Sequence, residues 1–265
     1  VHTAHVWTDR PAGWWPQDVK RSENTDEVPQ ELDWNGWLGV APKRPFVKGA
    51  YHAFAWRGRL DFGTGAQGDM ACHLMDPVPW FLGVRHPLHV TSAGPKPNQE
   101  SYPEWSQVSY HFGATSRTSK EGVNVTWHDG GRKPEELLRQ FGFTEKVYAN
   151  ACLFIGEKGA FLTSPYEPCI FSPHQGTPAT PPLPEVPDVN HWHEFVQACL
   201  QDGKTSASFD YSGPLTEIAL LGNVALHFPN QKLLWNAKDL KFHNNTEADA
   251  YLHKPYRKGW EVRGL

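Results

Sequence analysis

Period-two alternation governs the middle of the sequence. Residues 89–93, 107–112, 123–128 and 146–154 carry β-branched or aromatic side chains at alternate positions, with Gly, Pro, Ser and Asn between the segments. That is the pattern of strands with one buried face, and their close succession predicts antiparallel pairing. Gly156-Glu157-Lys158-Gly159 reads as a tight hairpin turn joining 151–155 to 160–163. Residues 1–7, V-H-T-A-H-V-W, read as a further strand, and 231–235 and 240–242 as short ones.

Helical signals are fewer. Pro134 with Glu135 and Glu136 starts a helix to 140. Asn190 caps another through 200, with Trp192, Phe195, Val196 and Cys199 as its apolar stripe. Gly213-Pro214 opens a helix over 215–227, where Leu215, Ile218, Leu221, Gly222 and Ala225 make a face smooth enough to lie on a sheet. The expected class is α+β: an open, mostly antiparallel (mixed) sheet with helices on one face, in one domain over 1–265. A sheet covered on one side leaves the other for water, another domain or a second subunit, and a homo-oligomer through the open sheet face is expected.

Two stretches resist periodic assignment. Residues 8–45 are dense in Pro, Gly, Trp and charge and read as an irregular arm anchored by burial of Trp14, Trp15, Trp34 and Trp37, with a helical turn at 33–39. Residues 172–188 hold Pro173, Pro178, Pro181, Pro182, Pro184 and Pro187 and read as an extended surface connection.

Composition excludes several classes of partner. A net charge of -4, with 25 basic and 29 acidic side chains interspersed, leaves no basic tract for a phosphate backbone, so no nucleic acid is expected. No apolar run nears the roughly 18 residues of a membrane span. Four cysteines without a C-x-x-C pair indicate neither a zinc ribbon nor a disulfide scaffold. Twelve tryptophans stand at roughly three times ordinary usage; flat rings suit sugars and polyols, although most indoles simply fill cores. The first residue is not Met and no signal peptide is seen, which reads as a fragment or mature form lacking an upstream region. The sequence leaves the location open between cytoplasmic and, if the lost region carried an export signal, periplasmic.

The stretch 56–80, W-R-G-R-L-D-F-G-T-G-A-Q-G-D-M-A-C-H-L-M-D-P-V-P-W, carries the chemistry. Gly58, Gly63, Gly65 and Gly68 mark a loop, and 69–75 reads as a helix that Pro77 and Pro79 kink or end. At 100° per residue Asp69, His73 and Asp76 share one narrow stripe. A carboxylate one turn before a histidine can orient the imidazole as a general acid or base, and the same groups are ordinary ligands for zinc or manganese. The plainer alternative makes Asp69 a helix cap and His73 a satisfied surface or core residue. Trp56 and Arg57 are candidates to stack on and hydrogen-bond a polyol, or to pin the loop. Arg10 and Trp7, just past the first strand, are further candidates, as are Tyr51 and His52 by reach. His191 and His193, two residues apart on a helix, point to different faces and are not assigned to a metal. Asn124-Val125-Thr126 and Asn244-Asn245-Thr246 fit the N-glycosylation pattern.

The run from Gly65 to Asp76 resembles the substrate-domain motif of the Gfo/Idh/MocA oxidoreductases, named for glucose-fructose oxidoreductase and inositol dehydrogenase. Residues 33–39, 215–225 and 256–260 resemble a bacterial branch of that family. The resemblance spans nearly the whole chain and implies the family's C-terminal domain alone, which shapes the substrate pocket and mediates oligomerisation. The chain has no G-x-G-x-x-G after a strand and no Glu-Lys-Pro motif carrying the family's catalytic lysine. NAD or NADP is therefore expected with the full-length protein and no cofactor with this chain alone. The resemblance implies that His73 is acid/base at the substrate hydroxyl with Asp69 orienting or charging it. Asp76 takes the motif's next acidic position, and Trp56, Arg57, Asp76 and Arg10 are the expected substrate contacts. A sugar or cyclitol is the implied substrate, oxidised at a CH–OH group, with cleavage of a glycosidic bond coupled to oxidation in some relatives. Alternatives are a cofactor-free carbohydrate-binding or assembly module, and a lyase or metal-assisted hydrolase built on Asp69, His73 and Asp76.

Overall fold

The computed structural model describes residues 1–143, 148–182, 184–186, 189–201, 203–262 and 264. Nine strands form one open sheet: β1 Thr3–Trp7, β2 His89–Ala93, β3 Gln107–Phe112, β4 Val123–His128, β5 Ala151–Gly156, β6 Gly159–Thr163, β7 Ile170–Pro173, β8 Leu233–Asn236 and β9 Lys241–Phe242. Their order is β7-β6-β5-β1-β4-β3-β2-β8-β9. All adjacent pairs are antiparallel except β1 with β4, in which Thr3 faces Asn124 and Trp7 faces His128. The first strand is thus the middle of the sheet, inserted between hairpins that are contiguous in sequence. Its alternation fits that place: Ala4 and Val6 are fully buried on one face, while Thr3 and His5 are half-buried on the other. Of the expected strand 146–154, residues 146 and 147 lie outside the described residues, and the strand itself begins at Ala151.

The helices are α1 Trp34–Leu38, α2 Gly65–Leu74, α3 Pro77–Leu82, α4 Glu135–Gln140, α5 His191–Gln201, α6 Phe209–Leu226 and α7 Thr246–Asp249, with a 3-10 turn at Ala55–Gly58. Helices α2, α3 and α6 bury Met70, Leu74, Val78, Leu82, Ile218 and Leu221 in one core with the sheet's Val90, Val108, Tyr110, Val125 and Trp127. Helix α4 is the departure from a sheet covered on one side. Leu138 packs with Trp7, Leu153, Ile155 and Leu162 in a second core at the β5–β6 end of the opposite face. Residues 151, 153 and 155 are apolar as well as 152 and 154, so this strand reads as buried on both faces.

The break expected around Pro77 is present: α2 stops at Leu74 and Pro77 opens α3, a position where its missing N–H is unpaired anyway. Pro214 lies inside α6, which starts at Phe209 and not at 215. The carbonyl that Pro214 cannot bond, Asp210 O, accepts instead from Arg85 Nη2 at 2.7 Å. Helix α5 begins as expected, Asn190 Oδ1 accepting from the amides of Trp192 and His193 at 3.1 Å each. Its apolar stripe stays in solvent, Trp192 and Phe195 both being exposed.

The arm is held by rings and by charge. Trp34 and Trp37 stack with centroids 4.9 Å apart, and Trp15 is buried. Trp14 contradicts the expected anchoring, for it is 51% exposed. Buried Glu100 receives Arg59 at 2.6 Å, Arg21 at 2.8 Å and Arg44 at 3.2 Å, which ties both limbs of the arm to the loop ahead of α2.

On the sheet face away from α2 and α6, His5 Nδ1 lies 3.1 Å from His128 Nε2. Desolvation lowers His5 to about 4 and, with the neighbouring His5, lowers His128 to about 3. Both rings are neutral in the folded protein at pH 7, whereas the unfolded chain protonates them below about 6.5. The unfolded state therefore binds more protons as pH falls through 6.5 toward 4, and stability present above that window is lost within it. Asp129 acts in the opposite sense. Burial raises it to about 6 against the pull of its Ser106 and Trp127 donors, so it protonates first in the folded state. With two rings against one carboxyl, denaturant unfolding should give a stability at pH 4.5 about 2 kcal/mol below that at pH 7. His128→Asn should remove at least half of the difference; an unchanged pH profile would show that the pair does not titrate with folding.

Candidate functional site

Helix α2 starts at Gly65, four residues earlier than its glycines suggest. Gly68 is there for a close approach: a Cβ would stand 2.3 Å from Thr64 Cβ and 3.3 Å from Asn223 Oδ1. Asn223 of α6 donates to Thr64 O at 2.6 Å, fastening the first turn of α2. From the other side, a Cβ on Gly222 would stand 2.3 Å from Tyr110 Oη and 2.7 Å from Gln67 Cδ. Buried Gln67 donates to Tyr110 Oη at 3.1 Å. Glycines on both helices thus let α2 and α6 meet over the sheet, and that seating decides which side of α2 faces out.

Ala66, Gln67, Met70, Ala71 and Leu74 are buried on the inner side. Asp69, Cys72 and His73 form the outer side, with His73 exposed and without a hydrogen-bond or ion-pair partner among the described residues. Because α2 begins early, Asp69 is a mid-helix residue and not its cap. Its carboxylate accepts from Arg57 Nη1 at 2.6 Å, an ion pair whose side chains are 30% and 19% exposed. The carboxylate that could have oriented His73 is therefore directed to Arg57. Desolvation and then the Asp69 carboxylate push the Cys72 thiol up, so at neutral pH it is no thiolate nucleophile.

Arg57 sits on the 3-10 turn with its guanidinium 4.9 Å from the Phe54 ring and 5.4 Å from both Trp15 and Trp56. Such an aromatic collar fixes the cation while leaving donors besides Nη1 unengaged. Trp56 is half-buried in that collar. Arg10 is paired with Asp9 and lies 3.8 Å over the Trp14 ring, and Trp14 meets Phe54 edge-on at 6.4 Å. The structure thus brings Arg10, Trp56, Arg57 and Asp69 into one run of contacts beside His73.

Asp76 has a partner of its own. It precedes α3 and accepts from the Tyr211 hydroxyl, whose own titration is raised by burial and by that bond. Trp80, 56% exposed, meets Tyr211 edge-on at 5.4 Å. Trp7 is removed from the candidates: it is buried, and its Nε1 donates to Tyr148 O at 3.0 Å in the second core. Tyr51 is buried among Trp34, Trp37 and Phe62, and His52 is exposed. Among the described residues no three His, Cys, Asp or Glu side chains come together to hold a metal ion. Tyr211, Asn223 and the exposed Trp14–Phe54 pair escaped sequence reading. Asn223 lay in view within the smooth helix, whereas Phe54 has no local pattern to mark it.

Residues 11–130 match the Gfo/Idh/MocA C2 model, described as "Oxidoreductase family, C-terminal alpha/beta domain". The match contains Arg57, Asp69, His73 and Asp76, and stops short of the resemblance read in 215–225 and 256–260. Nothing among curated proteins matches the chain. A solved structure described as "the putative dehydrogenase from Bordetella bronchiseptica RB50" is similar at 12% identity and a TM-score of 0.42. The similarity covers 89% of this chain and 62% of that one.

If the α2–α6 seating rests on these glycines, Gly222→Ala should destabilise the protein by about 2 kcal/mol through overpacking against Gln67 and Tyr110. Thermal and urea unfolding measure it. A stability equal to the parent's would mean that the crossing has room to spare.

Proposed function

We propose that this chain is the substrate-binding domain of an NAD(P)-dependent oxidoreductase that oxidises a CH–OH group of a sugar or cyclitol. The observation that carries the proposal is the outward side of α2, where His73 has no partner among the described residues and stands one turn beyond an Asp69 neutralised by Arg57. That side lies within the segment matching the oxidoreductase model.

The residues here do not fit the dinucleotide itself. The G-x-G-x-x-G of the sequence, Gly63 to Gly68, enters α2 from turns after the 3-10 segment and not from a strand, and the parallel pair among the described strands, β1 with β4, is not part of a glycine-rich strand-turn-helix. A separate dinucleotide-binding domain is the proposed source of the cofactor, which would supply the hydride acceptor. This chain's share is binding and proton movement. His73, exposed and unpartnered, accepts the proton of the substrate hydroxyl through an imidazole nitrogen. Asp69 and Arg57 together present an acceptor and several donors to neighbouring hydroxyls, and the aromatic collar excludes water from one side of them. A second copy of the chain on the open sheet face completes the proposal. His5, Thr91, Ser109 and Thr126 line that face half-buried, and sedimentation that finds only monomer would remove this part.

The enzymatic reading is tested with the full-length gene product, NAD⁺ or NADP⁺, and a panel of hexoses and cyclitols, following nicotinamide reduction. His73→Ala should lower kcat at least about 100-fold on any substrate found, with the fold intact by circular dichroism. Turnover that is indifferent to His73→Ala would overturn the assignment of the proton acceptor.

A further inference from the structure

Two of the largest exposed apolar side chains lie side by side next to the Arg57–Asp69 pair. Trp14 is 51% exposed and Phe54 47%. Neither is left to wave in solvent. Arg10 covers one face of the Trp14 indole at 3.8 Å, and the Arg57 guanidinium stands 4.9 Å from the Phe54 ring. The rings brace each other edge-to-face, with centroids 6.4 Å apart and planes at 73°. Phe54 is held at φ 55°, a region that side chains other than glycine rarely adopt. An indole fixed from behind by a cation and open in front is a preorganised stacking surface. Its rim is polar: Asp9, the Arg10 partner, keeps 43% of its side chain in solvent.

The surface has the chemistry of a pyranose. One face of such a ring is a run of C–H bonds that lies flat on an aromatic, while its edge carries hydroxyls that bond to charged side chains. The position relative to His73 sets which ring of a ligand it takes. Arg57 bonds Asp69 and stands over Phe54, and Trp14 meets Phe54 and Arg10. Trp14 thus ends a run of contacts that passes from Asp69, one turn from His73, through Arg57 and Phe54.

We propose that Trp14 and Phe54 form a second sugar subsite, so that the ligand of this protein is a glycoside of at least two rings. The proposal rests on the sugar reading of the His73 side and adds the neighbouring ring to it. Trp14 carries the stacking, Phe54 holds the indole upright, and Asp9 and Arg10 take the outer hydroxyls.

The test is calorimetric titration of the full-length gene product with cellobiose, maltose and lactose against glucose and galactose. At least one disaccharide should bind about tenfold or more tightly than its component monosaccharides. Trp14→Ala should bring that advantage to within about twofold while leaving monosaccharide affinity unchanged, and Trp14→Phe should keep part of it. Trp14 is half in solvent, so the variant is expected to fold, which circular dichroism checks. Equal weakening of mono- and disaccharides, or a disaccharide advantage untouched by Trp14→Ala, overturns the subsite and leaves the reading of the His73 side standing. A change of sedimentation in Trp14→Ala without a change in sugar affinity also overturns it, assigning the pair to a protein contact. Absence of binding by all five sugars, together with activity indifferent to His73→Ala, removes both.

Discussion

The approach of α2 to α6 is the constraint on which the rest depends. Two glycines, Gly68 and Gly222, bring the helices close enough for Asn223 to bond the Thr64 carbonyl and for Gln67 to reach Tyr110 on the sheet. Once Met70, Ala71 and Leu74 are buried, helical periodicity leaves Asp69, Cys72 and His73 no place but the outside. The chemistry is therefore a by-product of core packing in position and a product of the loop in detail. The loop supplies Arg57, which pairs with Asp69 and leaves the imidazole without a partner among the described residues.

A second device steadies the region. Glu100 is buried and would be costly alone, but three arginines from the arm and the loop converge on it. The long segment ahead of α2, which has little regular structure, is thereby fixed against the sheet domain's loops. Trp34, Trp37, Tyr51 and Phe62 fill the space beside it with a cluster of rings. That division of labour explains the tryptophan excess better than a sugar site alone. Trp15, Trp127 and Trp7 are buried, and Trp14 is a ring left over with an open face.

Much of the sheet was legible because alternation reports burial directly. β2, β3 and β4 have the bounds that the alternation predicts, since each has one face in the core and one outside. Glycines and prolines misled for one reason. Gly68 reads locally as loop and Pro214 as the opening of a helix, yet Gly68 lies within α2 to permit an approach and Pro214 lies inside α6, where Arg85 bonds the carbonyl it leaves open. Such partners are distant in sequence, and no local pattern contains them. The same holds for the candidate site. Asp69 and His73 could be found by their spacing, but the pairing of Asp69 with Arg57, and of Asp76 with Tyr211, required the fold. The edge strand β7 and the exposed Phe54 had no pattern to announce them.

The most direct measurement of the central claim is a crystal structure of the protein with a bound polyol, myo-inositol or glucose. The account predicts the ring beside α2, with hydroxyls within hydrogen-bonding distance of His73 and of Asp69 or Arg57. A polyol seated instead on the open sheet face, or beside α2 but out of reach of His73, would contradict it, and α2 would then be a packing helix whose outer residues are simply solvated.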